Sequence, residues 1–279
     1  MDPLETITSP ANPRVKQAAQ LREAGERRKS GLTLVDGIRE LARAVASGVE
    51  IVDVFVTTDR DAAASARTSD RNACLEACAA RGAAIVHVGP RAFAKLAFGD
   101  RNEGIVGVVR FVARGLADVS FGVGRPVLVA EGVEKPGNLG AIVRTADAAG
   151  LAGVIASDPK TDVANPATIR ASLGTVFRVP LAVATAADTI HWAAASRRRV
   201  VLATPTGTRR WHDVDLTGNT LLVVGSEADG VSHAWHAAAT AGTISLETIH
   251  LPMRGIADSL NVSVTAAVLA YEALRQEAT

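Results

Sequence analysis

The stretch Glu131-Gly-Val-Glu-Lys-Pro-Gly-Asn138-Leu-Gly-Ala-Ile-Val-Arg144-Thr145 follows an apolar run, Pro126 to Ala130. An apolar run that meets glycine and proline punctuation and then helical spacing reads as a buried strand, a turn and a helix, here running to about Ala149. The pattern recurs outward from this point. Strands are expected at Gly153 to Ala156, Val200 to Ala203, Leu221 to Val224 and Ile249 to Leu251, with a closing helix from Leu260 to about Arg275. Apolar strands separated by helices predict an α/β fold whose parallel sheet is covered on both faces.

Two more stretches occupy strand ends in the same half: Leu221-Leu-Val-Val-Gly225-Ser-Glu227-Ala-Asp-Gly230 and Leu251-Pro-Met253-Arg-Gly-Ile-Ala-Asp-Ser259-Leu-Asn261-Val-Ser263. Ligands of parallel sheets gather outside the carboxyl ends of the strands, which places Glu227 at a candidate site. Turn chemistry needing Gly225 and Gly230 for backbone reasons alone accounts for the same residues. Asn138 and Arg144 fall at the start and second turn of one helix, where a guanidinium could hold a phosphate or a ribose hydroxyl. Its ordinary alternative is a surface pair with Asp147 at i+3. Ser259 reads first as a helix N-cap and Asn261 as a first-turn residue. A glycine turn before a helix also suits a dinucleotide. However, the G-x-G-x-x-G spacing is absent, and no ribose-binding acid follows about twenty residues on in a clear βαβ context.

Upstream, helix and strand alternate from Asn12 to about Arg110. Asn12-Pro13 opens a basic helix. Leu32 to Val35 is a strand, Gly37 to Val45 a helix, Ile51 to Val56 a strand and the Cys74 segment a helix. Ala84 to Val88 is a strand, Ala92 to Leu96 a helix and Ile105 to Val112 a strand. This predicts a small α/β/α domain over residues 1–112, a glycine-bearing linker over 113–125 and a second domain over 126–279.

The chain has 279 residues, 48% hydrophobic and 21% charged, with a net charge of +1, which fits a globular protein of two ordinary domains. Aromatics at 4% are too scarce to suggest stacking platforms for unpaired bases. A local surplus of positive charge lies in Arg14, Lys16, Arg22, Arg27, Arg28 and Lys29, which suits either phosphate contacts or a solvated helix face. Cys74 and Cys78 have no further cysteine to complete a zinc site, and they read as neighbouring core thiols. His233 and His236 lack a third ligand, so no metal is expected. No signal-like arrangement opens the chain and no apolar run reaches the ~20 residues of a membrane span, so a cytoplasmic protein with no membrane partner is expected.

Taken in order and with their flanking strands, the three stretches resemble the motifs of the SpoU/TrmH-type RNA ribose 2′-O-methyltransferases of the SPOUT class. A fourth, Asn165-Pro-Ala-Thr-Ile-Arg170-Ala-Ser-Leu-Gly174-Thr-Val-Phe177-Arg-Val-Pro180, resembles the family between its first and second motifs. Asn12-Pro-Arg-Val-Lys16, Arg27-Arg-Lys29, Leu34-Val-Asp-Gly37 and Asn102-Glu-Gly-Ile-Val-Gly107 are similar to the RNA substrate-binding domain that often precedes the catalytic one. Two positions depart from the pattern: Lys135 stands where an acid is common, and Ser226 where asparagine is common.

The resemblance implies a SPOUT domain with a deep trefoil knot, a feature that threading rules would not predict. It implies S-adenosylmethionine as cofactor, held by Thr204, Gly225, Ser226, Gly230, Leu251, Met253 and Leu260. Arg144, Asn138, Glu227, Ser259 and Asn261 would serve catalysis, with Arg144 either steadying the alkoxide or helping to remove its proton together with an RNA phosphate. RNA would meet Arg14, Lys16, Arg27, Arg28, Lys29 and Arg170. A homodimer with a shared site and ribosomal RNA as substrate follow by the same route, with self-protection against ribosome-targeting antibiotics as one implied role. Transfer RNA as substrate, a non-catalytic RNA-binding protein of the same fold and a nicotinamide oxidoreductase are the competing expectations.

Overall fold

The structure, a computed structural model, describes residues 6–59, 68–98 and 103–278; Asn102 lies outside them. The chain forms two compact units, one of Met1–Val112 with Ala164–Arg178 and one of Ala113–Val163 with Val179–Thr279.

In the first unit, the expected basic helix is two helices, α1 (Pro13–Gln20) and α2 (Ala24–Ser30). Asn12 caps α1, its side chain accepting from Arg14 N at 2.9 Å, and Pro13 occupies the first turn, where its missing N–H costs nothing. Then follow β1 (Leu32–Asp36), α3 (Ile38–Ala46), β2 (Ile51–Thr57), α4 (Thr68–Ala80), β3 (Ala84–Val88), α5 (Pro90–Phe93) and β4 (Ile105–Arg110). The sheet order is β1-β4-β2-β3, with β4 antiparallel to both neighbours and β2 parallel to β3. Val15, Leu34, Phe55, Val88 and Leu96 fill its core, and Cys74 and Cys78 are buried thiols.

The unit is completed by a piece of chain that sequence order assigns elsewhere. Helix α7 (Pro166–Ala171) and its flanks lie on β1 and α3, where Thr33 Oγ1 donates to Ala164 O at 2.6 Å and Arg43 Nη1 to Leu173 O at 2.7 Å. Phe177 meets Phe111 edge-on at 5.0 Å. Gly174 has φ 80° and passes so close to α3 that a Cβ would sit 3.0 Å from Glu40 Cα, so both conformation and space call for glycine.

The second unit holds β5 (Val127–Glu131), α6 (Pro136–Ala148), β6 (Gly153–Ser157), β7 (Leu181–Ala184), α8 (Ala186–Ala195), β8 (Arg199–Ala203) and β9 (Arg209–Arg210). It closes with β10 (Thr220–Val224), α9 (Ala234–Thr240), β11 (Leu246–His250) and α10 (Val262–Glu277). All seven strands of its sheet are parallel, in the order β7-β6-β5-β10-β8-β11-β9. Every residue of β5, β6 and β10 is buried, as expected for strands covered on both faces. From β5 the chain runs outward to β6 and β7, then returns on the far side of β10, which makes the β5–β10 boundary the point where the winding reverses. At such a point the loops beyond the strand ends diverge and leave a crevice.

Residues 113–125, read from the sequence as a linker, lie against this second unit. Arg198, only 5% exposed, donates to Arg125 O at 3.0 Å and Gly122 O at 2.8 Å, and Gly124 N donates to Asn219 Oδ1 at 2.9 Å. Among the described residues no helix is long and apolar enough to cross a membrane.

Candidate functional site

The three quoted stretches meet at the reversal point. Asn138, in the first turn of α6, donates through Nδ2 to Glu227 Oε1 at 3.1 Å. Asn261 Nδ2 donates to the same oxygen at 2.5 Å and to Asn138 Oδ1 at 3.3 Å, closing a three-residue ring. The other carboxylate oxygen, Oε2, is 3.4 Å from Lys135 Nζ. Lys135 therefore supplies a positive partner to Glu227, at the position where the sequence departs from the family pattern.

Local structure explains how each member reaches the ring. Asn261, rather than Ser259, is the N-cap of α10: its Oδ1 accepts from Ser263 N at 3.0 Å and from Ser263 Oγ at 2.6 Å. Capping fixes the asparagine rotamer, which leaves its amide nitrogen pointed at Glu227. Glu227 rides on a short closed loop in which Ser226 and Gly230 exchange backbone hydrogen bonds of 3.0 and 3.1 Å. Ser226 Oγ accepts from Asp229 N at 2.9 Å, so serine at this position serves to close the loop.

Beside the ring lies a cavity of about 700 Å³, within the range of small-ligand sites. The loops after β8, β10 and β11 line it, and every residue the resemblance assigns to the cofactor is among them: Thr204, Gly225, Ser226, Gly230, Leu251, Met253 and Leu260. Ser259 lines this cavity too and has no bond to the ring. Among the described residues, the charged groups on its wall are Glu227, Asp229 and Asp258, with no lysine or arginine. Such a wall favours a cationic guest over a pyrophosphate, which weakens the dinucleotide alternative. A second cavity, about 280 Å³, lies on the other side of Ser226-Glu227-Ala228 and is lined by Glu134, Lys135 and Asn138. Glu227 and the loop that bears it thus form the partition between the two spaces.

Arg144 is exposed on α6 and makes no hydrogen bond or ion pair among the described residues, so the alternative pair with Asp147 is not formed. It lies ~9 Å further along the helix axis than Asn138. The basic residues of the first unit divide sharply. Arg27 is buried, donating to Leu21 O at 2.9 Å and Arg22 O at 2.6 Å, so it is a fold residue and its expected RNA role is withdrawn. Arg14 pairs with Asp53 at 2.5 Å. Arg170 donates to Phe98 O at 2.6 Å and pairs with Asp36 at 3.2 Å, which ties α7 to its own unit. Burial raises the Asp36 carboxyl to about 6, with the Phe98 N–H and Arg170 pulling the other way. Lys16, Arg28 and Lys29 are exposed and without partners among the described residues.

Two features of the site were not read from the sequence. Lys160 bridges Glu134 and Asp229 at 2.6 and 3.0 Å, joining the first and second stretches from outside. Glu131 is a carboxylate buried at the end of β5. An acid closing a fully apolar strand was a visible signal for Glu131, whereas nothing local marks Lys160.

Residues 125–271 match the SpoU rRNA Methylase family, and residues 12–107 match an MRM3-like substrate binding domain. The chain is 31% identical to a 23S rRNA (uridine(2479)-2′-O)-methyltransferase of Streptomyces viridochromogenes, covering 97% of this chain and 92% of that one. Among solved structures it is similar to the SpoU methyltransferase AviRb of Streptomyces viridochromogenes in complex with AdoMet, with a TM-score of 0.83, 27% identity and coverage of 96% and 99%. An AdoMet-bound rRNA methyltransferase of Sinorhizobium meliloti gives a TM-score of 0.82 at 28% identity, with 98% of each chain covered.

Proposed function

This chain belongs to the SpoU rRNA methylase family, and from that membership we propose that it transfers a methyl group from S-adenosylmethionine to a ribose 2′-hydroxyl of ribosomal RNA. The observation that carries this reading is the closed Asn138–Glu227–Asn261 ring beside an acid-walled cavity of the right size. When bound, S-adenosylmethionine supplies a methyl group on a positively charged sulfur, open to attack by an oxygen nucleophile. The wall residues fit it: Glu227, Asp229 and Asp258 complement the charge, while Val224, Leu251 and Val262 offer apolar surface. The deep trefoil knot belongs to the same reading. Its support is the family membership.

Catalysis requires the ribose oxygen to line up with the methyl carbon and its proton to leave. Asn138 and Asn261 are held so that Glu227 keeps one orientation, and Glu227 orients the ribose from the partition between the two cavities. Arg144 is permanently charged and cannot act as a base; it steadies the developing alkoxide. The test is transfer of labelled methyl from S-adenosylmethionine to unmodified ribosomal RNA. Absence of both incorporation and donor binding would remove the reading.

A dimer completes the site in this reading, because the free Arg144 of one copy needs a ring to act upon. Its support lies on α10, which packs on α6 and carries Val264, Tyr271 and Leu274 exposed along one face at 45%, 52% and 39%. Sedimentation should give a dimer at micromolar concentration, and Tyr271→Glu should convert it to an inactive monomer. A stable, active wild-type monomer would refute the dimer.

Lys16, Arg28 and Lys29 grip RNA phosphates from the first unit. Reversing all three charges should weaken RNA binding and flatten the log–log slope of affinity against salt by roughly 0.7–0.9 for each phosphate no longer neutralised. Donor affinity should not change. Equal RNA affinity in titrations of this variant and the wild type would sink the assignment.

A further inference from the structure

The loop that walls the donor cavity begins at a rigid strand, β10, but its far end has no strand to hold it. It returns through Ser232 to α9. At that point it meets Glu131, which is 5% exposed. Oε1 of Glu131 accepts from Ser232 N at 3.1 Å, and Oε2 accepts from Trp235 Nε1 at 2.5 Å. Trp235 is fully buried in the core of the second unit. Thus one carboxylate, fixed at the end of a fully buried strand, holds both the exit of the loop and the aromatic anchor behind it. Glu131 lines neither cavity.

We propose that Glu131 is a positioning residue for the methyl-donor cavity, setting the closed position of loop Gly225–Val231 through Ser232 and Trp235. The inference rests on reading that cavity as the S-adenosylmethionine site. Other ties reach the loop, and none substitutes for this one: those from Asn138, Asn261 and Lys135 to Glu227 hold its tip and are exposed. Lys160–Asp229 is exposed, with side chains 51% and 72% accessible, and a screened surface pair restrains little. The Ser226–Gly230 pair closes the loop on itself and does not fix where it stands. Of all these ties the Glu131 contacts are the most buried, and a buried acceptor satisfied by two donors is costly to disturb.

The test uses the full chain and Glu131→Gln. Glutamine keeps the size and one acceptor but turns an N–H₂ toward a donor, so one of the two bonds must fail. Calorimetry should show S-adenosylmethionine bound about tenfold more weakly. The KM for the donor should rise similarly, with kcat at saturating donor within about threefold of the wild type and the KM for RNA unchanged. Hydrogen exchange should be faster at the amides of residues 226–235, without any donor present. Trp235→Phe keeps the ring and removes the N–H; it should act in the same direction and be less than additive with Glu131→Gln.

Arg198→Ala is the control for general destabilisation, since Arg198 holds Gly122 and Arg125. It should lower the melting temperature while leaving donor affinity and loop exchange alone. If Glu131→Gln behaves as Arg198→Ala does, the positioning role is overturned. A wild type that fails to bind S-adenosylmethionine would instead overturn the reading of the cavity, and the donor-free exchange experiment would still decide whether Glu131 holds the loop.

Discussion

Arg144→Ala will lower methyl transfer at saturating donor by ~10³-fold or more while leaving S-adenosylmethionine affinity within about twofold. The expectation comes from what Arg144 lacks. It is exposed on α6 and has no partner among the described residues, so removing it breaks no bond within the fold and opens no cavity. A change with so little to disturb in the folded chain can affect the rate only through a substrate. A guanidinium aimed at a developing alkoxide acts in the transition state alone, so the loss should fall on kcat rather than on donor binding. Arg144→Lys keeps the charge but loses the planar fork, and it should recover only a small part of the rate. Labelled-methyl transfer to ribosomal RNA, with calorimetry for the donor, decides the matter; activity within tenfold of the wild type would remove Arg144 from the mechanism.

A comparable loss, on the binding side, is expected for Gly225→Ala. A Cβ at this position would stand 2.2 Å from the carbonyl carbon and oxygen of Gly230 and 2.5 Å from Val231 N. Those atoms are all backbone, so no flexible side chain can swing aside. Relief requires opening the Ser226–Gly230 bridge, which moves Glu227 away from Asn138 and Asn261 and spoils the cavity wall. Overpacking of this kind costs roughly 1–3 kcal/mol or more. The donor should bind at least ~100-fold more weakly, and the melting temperature should fall by several degrees. A Gly225→Ala protein with wild-type donor affinity would show that the loop tolerates movement and that its tight closure is irrelevant to binding.

Much of the second unit was legible because its local signals agree with its tertiary environment. The strands β5, β6 and β10 are buried on both faces, so their sequences are unbroken apolar runs, and α6 starts at the proline that ends its turn. The ring of Asn138, Glu227 and Asn261 was legible only through the resemblance, since its members are separated by 89 and 34 residues and no periodicity joins them. The N-cap of α10 was misplaced by two residues, because Ser259 and Asn261 are both good caps and only the fold decides between them. The basic cluster misled for a different reason. Charge on a short helix predicts exposure, but Arg27 turns inward to take two backbone carbonyls, a choice made by the neighbouring turn at Leu21 and Arg22. Short strands and helices such as β7 and α8 carried too few residues of contrasting type to stand out.

The return of Ala164–Arg178 to the first unit sets an order of events during synthesis. When the ribosome has passed Val112, the first unit still lacks the chain that covers β1 and α3, including the acceptor for Thr33 Oγ1 and the partner of Asp36. It must wait for the translation of the whole β5–α6–β6 segment before it can close, a delay of about 3–13 s at ordinary elongation rates. The nascent first unit is therefore an unfinished surface, and the early part of the catalytic unit emerges before its predecessor is complete. Birth of the two units is interleaved, so neither can be cut from the gene at a single boundary and be expected to fold as it does in the whole protein.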